Sequence, residues 1–368
     1  MGSDPIFSAL RSPAAYPHPV GKVEVIETHI SAVLLAGEFA YKLKKPVALG
    51  FADFSTLERR RHFCFEELRL NKRSAPQIYL DVVAVAGDPP RFLAVEQAQN
   101  VVEYAVRMRR FADDARLDRV ARAGKVDAVI VDRLAAAVAA FHQRCEAAPS
   151  ASAFGTPELI ARWVRDNLAE LQRLAASLVD AASPVHAGSP AAASRADAAS
   201  RLRRLAQWSE AELTRLGPTF AARRAGGSVR ECHGDLHLAN VVLLDGTPLL
   251  FDCIEFNDEL RLIDAFNDVA FCWMDLLAHE LPHLAARFLS GYVEATGDYA
   301  GLATVRFYAA YRALVRAKVA LIRRRQIAPG TAERTGAEQS FARYLALAEE
   351  LAATRAVPPI VLTCGLAG

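Results

Sequence analysis

An aspartate, an asparagine and a second aspartate stand around two short apolar runs in the second half of the chain. Asp235 lies five residues before Asn240, and Asp252 closes the second run, which follows an Asp-Gly turn. Such a pattern predicts a β-hairpin, and a hairpin brings the residues at its open end side by side. Carboxylate and amide oxygens suit Mg²⁺, which also keeps room for phosphates and water. The spacing therefore predicts a Mg²⁺-nucleotide site, with Asn240 and Asp252 at one mouth and Asp235 in the loop that enters it.

The same spacing matches a phosphoryl-transfer template. His233-Gly234-Asp235-Leu236 with Asn240 fits H-R-D-L-x-x-x-N, with Gly in place of Arg, and Asp252 stands where the D-F-G aspartate would. This variant resembles the aminoglycoside phosphotransferase and choline kinase branch of the kinase-like fold, over about residues 20–354. The competing interpretation is an ordinary loop before a hairpin, with Asp235 as a turn former and Asn240 as a cap.

The resemblance implies a fold, an activity and two cofactors. The fold is α+β and protein-kinase-like, with a small β-rich N-lobe and a large, mainly helical C-lobe. The activity is transfer of the γ-phosphate of ATP to a hydroxyl of a small molecule, with Mg²⁺. Asp235 would accept or orient the hydroxyl proton, while Asn240 and Asp252 would hold the metal. A non-catalytic nucleotide-binding regulatory module on the same fold is the alternative from another class.

Composition sets wide limits. The chain has 368 residues, 52% hydrophobic and 23% charged, and a net charge of +2. This length favours two lobes or domains, and the charge gives no reason to expect nucleic acid or a membrane surface as a partner. The six cysteines are scattered without a C-x-x-C pair. With no signal peptide and no long uncharged apolar run, the pattern is typical of a cytoplasmic protein.

The sequence predicts a loose arm over residues 1–20 and the N-lobe over residues 21–103. It predicts the C-lobe over residues 104–355, with the catalytic loop at 231–252. Periodicity in the N-lobe predicts a helix from a cap near Ser55 to about Arg73. It also predicts strands over 23–28, 31–36, 39–44, 78–86 and 91–97.

The N-lobe of this fold holds a lysine against a helical glutamate. Lys42 alternates with apolar neighbours on the third strand, and Lys44 shares its face. On the helix, Glu66 is favoured over Glu67 because it shares a face with Leu70. The alternative is a basic edge strand beside solvated glutamates.

Other nucleotide contacts follow from the resemblance alone. The turn ending at Ser31 replaces the glycine-rich loop of protein kinases, and backbone amides near Ser31 are expected to approach the nucleotide. Residues 96–108 are interpreted as the hinge, with Tyr104 and Val106 as adenine contacts.

The residues after Asp252 bear on the acceptor. A protein kinase needs an activation segment ending in Ala-Pro-Glu, whereas here only a short segment precedes the next helix, which argues against a protein substrate. Glu255, Asp258 and Glu259 could form an acidic pocket for an aminoglycoside, and the same residues suit any polyol or amine. Further on, Asp264 and Asp268 either brace the catalytic loop or simply favour a helix start. His142, on a core helix, is expected to be a capped or surface residue and not a ligand.

The last residues, 356–368, resemble the start of a second domain. A short β-branched run leads into Gly365-Leu366-Ala367-Gly368, as a strand leads into a phosphate-binding G-x-x-x-x-G-K-[ST] loop. Some phosphotransferase-like proteins of this type carry a C-terminal P-loop ATP-binding domain, so a P-loop domain is the expected continuation. A plain Gly/Ala tail is the alternative.

Overall fold

A computed structural model describes residues 5–50, 52–176 and 190–353, with the backbone alone for residues 190–196. The first half is built on a six-stranded antiparallel sheet with the order β1-β2-β3-β8-β6-β7. Its strands are β1 (Val23–Glu27), β2 (Ser31–Ala36), β3 (Phe39–Lys44), β6 (Tyr79–Ala86), β7 (Arg91–Ala94) and β8 (Glu103–Arg109). The two-residue strands β4 (Ala48–Leu49) and β5 (Ala52–Asp53) pair with each other, and helix α2 (Leu57–Lys72) packs on the sheet.

The rest of the chain is mostly helical. Its helices are α3 (Leu117–Arg122), α4 (Ala128–Arg144), α5 (Pro157–Ala176), α6 (Pro190–Ala225), α7 (Asp258–Arg261), α8 (Ala265–Ala278), α9 (Pro282–Thr296), α10 (Leu302–Gln326) and α11 (Ala332–Ala352). Two small antiparallel pairs lie among them, namely β9 (Val229–Glu231) with β12 (Leu262–Asp264), and β10 (Val241–Leu244) with β11 (Thr247–Leu250). The α+β, kinase-like architecture predicted from the sequence is thus present.

The predicted loose arm is wrong for the residues that the structure describes. The described residues begin with helix α1 (Pro5–Ala9), and Leu10 and Tyr16 are then buried in one apolar cluster with Tyr41 and Phe92 of the sheet. The Tyr16 hydroxyl donates to the Leu10 carbonyl at 2.8 Å. Because the arm covers one sheet face, it belongs to the N-lobe.

The predicted hinge at residues 96–108 is also wrong. Most of this stretch forms β8, which lies between β3 and β6 and pairs Val106 with Lys42. A strand buried on both faces shows little alternation of apolar and polar residues, so its sequence lacks the usual strand signal. The sheet therefore extends to Arg109, beyond the predicted lobe boundary at 103, and residues 110–116 make the connection.

By internal contacts the chain divides into two compact units. The first combines the residues up to Arg162 with Leu216–Tyr308, and holds the sheet, α2 and the predicted catalytic loop. The second combines Trp163–Arg215 with the residues from Ala309 on, and is helical where described. Within this second unit, Leu171, Leu202 and Leu345 are fully buried, so it has apolar packing of its own.

Two further predictions concern a membrane span and the C-terminal residues. No helix among the described residues is long and apolar enough to cross a membrane. Residues 356–368, interpreted as the start of a P-loop domain, lie outside the described residues.

Candidate active site

The hairpin forms as predicted and sets the register of the site. Asp245 and Gly246 form its turn with φ of 51° and 72°, the left-handed pair that a tight hairpin turn requires. Val241 pairs with Leu250, and the Phe251 amide then donates to the Asn240 carbonyl at 3.0 Å. Asn240 therefore faces Phe251 at the open end, and Asp252 is the next residue.

Asp235 and Asn240 are joined directly. The Asn240 Nδ2 donates to the Asp235 backbone oxygen at 2.9 Å and to its Oδ2 at 3.0 Å. Since the amide nitrogen is taken up in this way, the Asn240 Oδ1 is the atom suited to a cation. The Asp235 side chain is 38% exposed, whereas the Asn240 residue is 7% exposed. A substrate hydroxyl can thus reach the carboxylate, while the amide is held in place.

Asp268, at the start of α8, braces the catalytic loop. Its Oδ2 accepts the His233 amide at 2.7 Å and its Oδ1 accepts the Gly234 amide at 2.9 Å. Asp264 does not take this role, because it accepts Arg223 at 2.7 Å and caps α8. The bracing prediction is confirmed for Asp268, and Asp264 fits its helix-start alternative.

His142 is a buried support for this brace and not a surface residue. Its Nε2 lies 3.3 Å from the Asp268 Oδ2 and its Nδ1 lies 3.0 Å from the Tyr292 hydroxyl. His142, Cys232 and Asp268 each offer one possible metal-ligand atom, and these three atoms lie within 4.8 Å of one another. However, both Asp268 oxygens already accept loop amides, and burial raises the pKa of the Cys232 thiol well above its ordinary value. The cluster is therefore better explained as a hydrogen-bonded scaffold than as a metal site.

His233 joins the catalytic loop to the residue before Asp252. Burial lowers the pKa of its imidazole, which favours the neutral ring. The Nδ1 accepts the Asp235 amide at 3.3 Å, so the proton lies on Nε2, which donates to the Phe251 carbonyl at 2.9 Å. One neutral histidine thus spans from the proposed base to the hairpin.

Gly234 explains why glycine replaces the arginine of the protein-kinase motif. Its φ is +86°, and a Cβ there would meet the Leu260 carbonyl oxygen at 2.7 Å. We expect Gly234→Ala to lower the free energy of unfolding by roughly 2–4 kcal/mol, because it adds backbone strain to a clash. Gly124→Ala is the matched control, since Gly124 has φ +66° and no heavy atom within 4 Å of such a Cβ. Urea unfolding of both variants checks the difference, and equal losses would contradict the clash.

On the sheet side, Lys42 reaches both the helix and the hairpin. Its Nζ lies 2.8 Å from the Glu67 Oε1 and 2.5 Å from the Asp252 Oδ1. The preference for Glu66 is wrong, because Glu66 pairs with Arg69 at 2.9 Å on the outer side of α2. The buried face of α2 carries Glu67 and Leu70, which are three residues apart. The structure thus brings Lys42 and Asp252 together, with Glu67 as the helical partner.

A second lysine completes a buried network of charges. Lys44 Nζ lies 2.8 Å from the Glu67 Oε2 and also forms an ion pair with Glu255. Burial alone would lower the pKa of both lysines, but the surrounding carboxylates outweigh it and raise the pKa of each. Burial would raise the pKa of Glu67, yet Lys42 and Lys44 lower it. For Glu255 the effect of burial is larger than the opposing effect of Lys44, so its pKa is raised.

Two residues that the sequence interpretation missed hold the Asp252 segment. Asp252 has a φ of +66°, which is unusual for a residue with a side chain. Its amide donates to the Tyr79 hydroxyl at 3.1 Å, and the Cys253 amide donates to the Asn71 Oδ1 at 2.9 Å. Asn71 follows Glu67 by four residues on the same buried helix face, and this spacing was the available signal.

Ser31, Tyr104 and Val106 are the remaining residues for which nucleotide contacts were predicted. The Ser31 amide donates to the Thr28 Oγ1 at 3.0 Å, and the approach of the neighbouring amides to a nucleotide stays a prediction. Val106 lies opposite Lys42 in the sheet and is fully buried, and Tyr104 shares its face of β8. Both lie within a strand and not in a hinge.

The expected acidic pocket is not formed by free carboxylates. Glu255 is buried against Lys44. Asp258 lies 2.6 Å from Arg261, and Glu259 lies 2.5 Å from Arg162. Each carboxylate already has a cationic partner, so these residues give no special reason to expect a polycationic substrate.

A β-rich part with a lysine–glutamate pair and a helical part with a braced catalytic loop define a kinase-like fold. The amicoumacin kinase hAmiN, solved with AMP-PNP, Ca²⁺ and Ami, aligns with a TM-score of 0.50 at 12% identity. The alignment covers 89% of this chain and 88% of that one, and it shows the fold. This chain belongs to the phosphotransferase enzyme family, whose profile matches residues 79–308, more than half of its length.

Other proteins are similar over much of the chain. Uncharacterized protein Rv2004c of Mycobacterium tuberculosis and uncharacterized protein Mb2027c of Mycobacterium bovis are each 36% identical over 318 residues. The alignment covers 86% of this chain but 58% of each relative, so the chain spans under two thirds of their length. An aminoglycoside phosphotransferase of Alicyclobacillus acidocaldarius aligns at 13% identity with a TM-score of 0.47, covering 92% of both chains.

Proposed function

We propose that this chain is an ATP- and Mg²⁺-dependent phosphotransferase that transfers the γ-phosphate to a hydroxyl of a small molecule. The observation that carries the proposal is the meeting of two halves of a site within one compact unit. Lys42 joins Glu67 to Asp252 at 2.8 and 2.5 Å, while Asn240 holds Asp235 at 3.0 Å beside the same hairpin. Membership of the phosphotransferase enzyme family supports the proposal.

The side chains at the open end of the hairpin fit a hard divalent cation. Asn240 offers Oδ1, and Asp252 is a carboxylate whose side chain is 43% exposed. Two such oxygens leave most of a Mg²⁺ coordination sphere to phosphates and water. When bound, the cation supplies neutralisation of the phosphate charge. That hAmiN was solved with AMP-PNP and Ca²⁺ agrees with a nucleotide and a divalent cation at this fold.

The other residues have roles that follow from their positions. Lys42 places its ammonium group at the hairpin mouth, where it would bind phosphate oxygens, and Glu67 orients it from α2. Asp235 would hold the acceptor hydroxyl and receive its proton. Because phosphoryl transfer needs mainly alignment and charge neutralisation, this small set suffices.

The acceptor is proposed to be small because the residues after Asp252 are already used for packing. Residues 253–264 contain the single turn α7 and then β12, which pairs with β9 directly before the catalytic loop. Cys253 and Ile254 are held by Asn71 and His233 through backbone amides. A segment fixed in this way offers no long platform for a protein substrate.

A transfer screen tests the function. Purified chain is incubated with γ-labelled ATP and Mg²⁺ against aminoglycosides, sugars, choline-like alcohols and nucleosides, and labelled products are separated. Transfer to one class, lost in Asp235→Asn, is the expected result. Nucleotide binding without transfer to any acceptor would favour a non-catalytic regulatory module.

The roles of Lys42 and Asp252 can be separated by calorimetric titration with ATP. We expect Asp252→Ala to remove the gain in affinity that Mg²⁺ provides, a loss of roughly 10- to 100-fold. Lys42→Met removes a direct phosphate contact, so it should weaken binding by a similar factor with and without Mg²⁺. Equal responses of both variants to Mg²⁺ would contradict this division of roles.

A further inference from the structure

We propose that His237 is a positioning residue for the transfer reaction, holding the Asp235 carboxylate in the orientation in which it receives the acceptor proton. The proposal rests on the proposed function, in which Asp235 is the base. His237 lies two residues after Asp235 and is 6% exposed. Its Nε2 is 3.3 Å from the Asp235 Oδ2, while its Nδ1 accepts the Ala239 amide at 3.2 Å.

The Ala239 contact determines which ring nitrogen carries the proton. A nitrogen that accepts an amide hydrogen bond has its lone pair free, so the neutral ring places its proton on Nε2. The nitrogen that carries this proton lies 3.3 Å from the Asp235 Oδ2, which is within hydrogen-bond distance. His237 is therefore a donor to Asp235, and its orientation is set by the backbone of the next turn.

Two donors then converge on one carboxylate oxygen. The Asn240 Nδ2 reaches the Asp235 Oδ2 at 3.0 Å, and the His237 Nε2 reaches it at 3.3 Å. Two hydrogen bonds to one oxygen hold the carboxylate in one orientation, so that the acceptor hydroxyl meets it in a fixed geometry. In the transfer step the acceptor O–H bond breaks as its proton moves to the Asp235 carboxylate, and the freed oxygen attacks the γ-phosphorus. The bond from that phosphorus to the β–γ bridging oxygen breaks, and ADP leaves.

The histidine is itself held firmly. Its ring packs edge-on against Phe271 of α8, with 5.3 Å between ring centroids. The turn that follows it is fixed because the Leu238 amide donates to the Asp275 Oδ2 at 2.9 Å. Since α8 also carries the Asp268 brace, the same helix orients the catalytic loop and the histidine.

Two substitutions separate the two contacts of the ring. His237→Asn retains a short acceptor for the Ala239 amide, as a good cap residue, but no longer reaches Asp235. His237→Gln retains an amide donor that reaches Asp235, but loses the Nδ1 position. We expect kcat to fall roughly 10- to 100-fold in His237→Asn, with rescue to within about fivefold in His237→Gln. KM for ATP should stay within about threefold in both, because no nucleotide contact changes.

Steady-state kinetics with an acceptor from the screen measures this order, and His283→Asn, at an exposed position of α9, is the control. The reverse order, with His237→Asn more active than His237→Gln, would show that the ring only caps the turn. Unchanged kcat in His237→Asn would also overturn the proposal.

A second measurement needs no enzymatic activity. The chain has nine histidines, and ¹⁵N-histidine labelling with long-range ¹H–¹⁵N correlation distinguishes their tautomers. We expect the signal that disappears in His237→Asn to be an Nε2–H tautomer. An Nδ1–H tautomer overturns the proposal whatever the activity. By contrast, a wild-type chain that transfers phosphate to no acceptor contradicts the proposed function.

Discussion

Asp235→Asn is expected to remove phosphoryl transfer, with kcat falling by roughly 10²- to 10⁴-fold, while ATP affinity stays within a few-fold. The amide has the shape of the carboxylate and can still accept the Asn240 Nδ2, which lies 3.0 Å from Oδ2 in the wild-type chain. It can no longer receive a proton from the acceptor. ATP affinity is preserved because Lys42 and Asp252, not Asp235, lie where the phosphates would bind.

The measurement is steady-state transfer combined with calorimetric ATP titration. Asp245→Asn is a matched control, because it makes the same chemical change at an exposed turn position with φ of 51°. Asparagine tolerates that conformation, so activity should be unchanged. Wild-type turnover in Asp235→Asn would show that this carboxylate is not the base.

The parts of the site that the sequence predicted are those set by neighbours along the chain. The Asp-Gly turn determines the hairpin register, so Asn240 and the residue before Asp252 had to face each other. The Asn240 side chain binds Asp235 through two hydrogen bonds, one to its backbone oxygen and one to its Oδ2. Short loops with defined turns leave the backbone little conformational freedom. Local sequence patterns are therefore sufficient to predict the structure there.

The parts that were mispredicted depend on contacts between distant segments. Choosing Glu67 over Glu66 requires knowledge of which side of α2 faces the sheet. Adjacent residues of a helix point in directions about 100° apart around its axis. Hydrophobic spacing alone did not settle it, because Glu66 lies four residues from Leu70 and Glu67 lies three. Likewise, Tyr79 meets the Asp252 amide across 173 positions, a contact that neither segment reveals alone.

Glu67→Gln is expected to give the largest loss of stability, roughly 3–5 kcal/mol. The side chain is fully buried, and its two oxygens each lie 2.8 Å from a lysine, Oε1 from Lys42 and Oε2 from Lys44. A neutral amide leaves the buried Lys44 and the largely buried Lys42 with one fewer counter-charge. Hydrogen exchange of α2 and β3 measures the effect locally, and urea unfolding measures it for the chain.

Glu66→Gln is the control for the choice between the neighbours. Glu66 pairs with Arg69, whose side chain is 48% exposed, and such pairs contribute about 1 kcal/mol or less. A loss at Glu66 that equals the loss at Glu67 would contradict the assignment of the buried pair.

The loss in Glu67→Gln is also expected to depend on pH. Lys42 and Lys44 outweigh burial and hold the pKa of Glu67 below its ordinary value of about 4.5. A carboxyl with a lowered pKa in the folded state contributes stability above its unfolded pKa, and the contribution is lost as the pH falls through the folded value. Unfolding free energies of wild type and variant should therefore differ most at neutral pH and converge below pH 4.5. Burial and, after it, the Glu67 charge raise the pKa of Glu255, so the substitution also removes one repulsion between two carboxylates. A gap that stays constant between neutral and acidic pH would show that Glu67 acts by packing and not by charge.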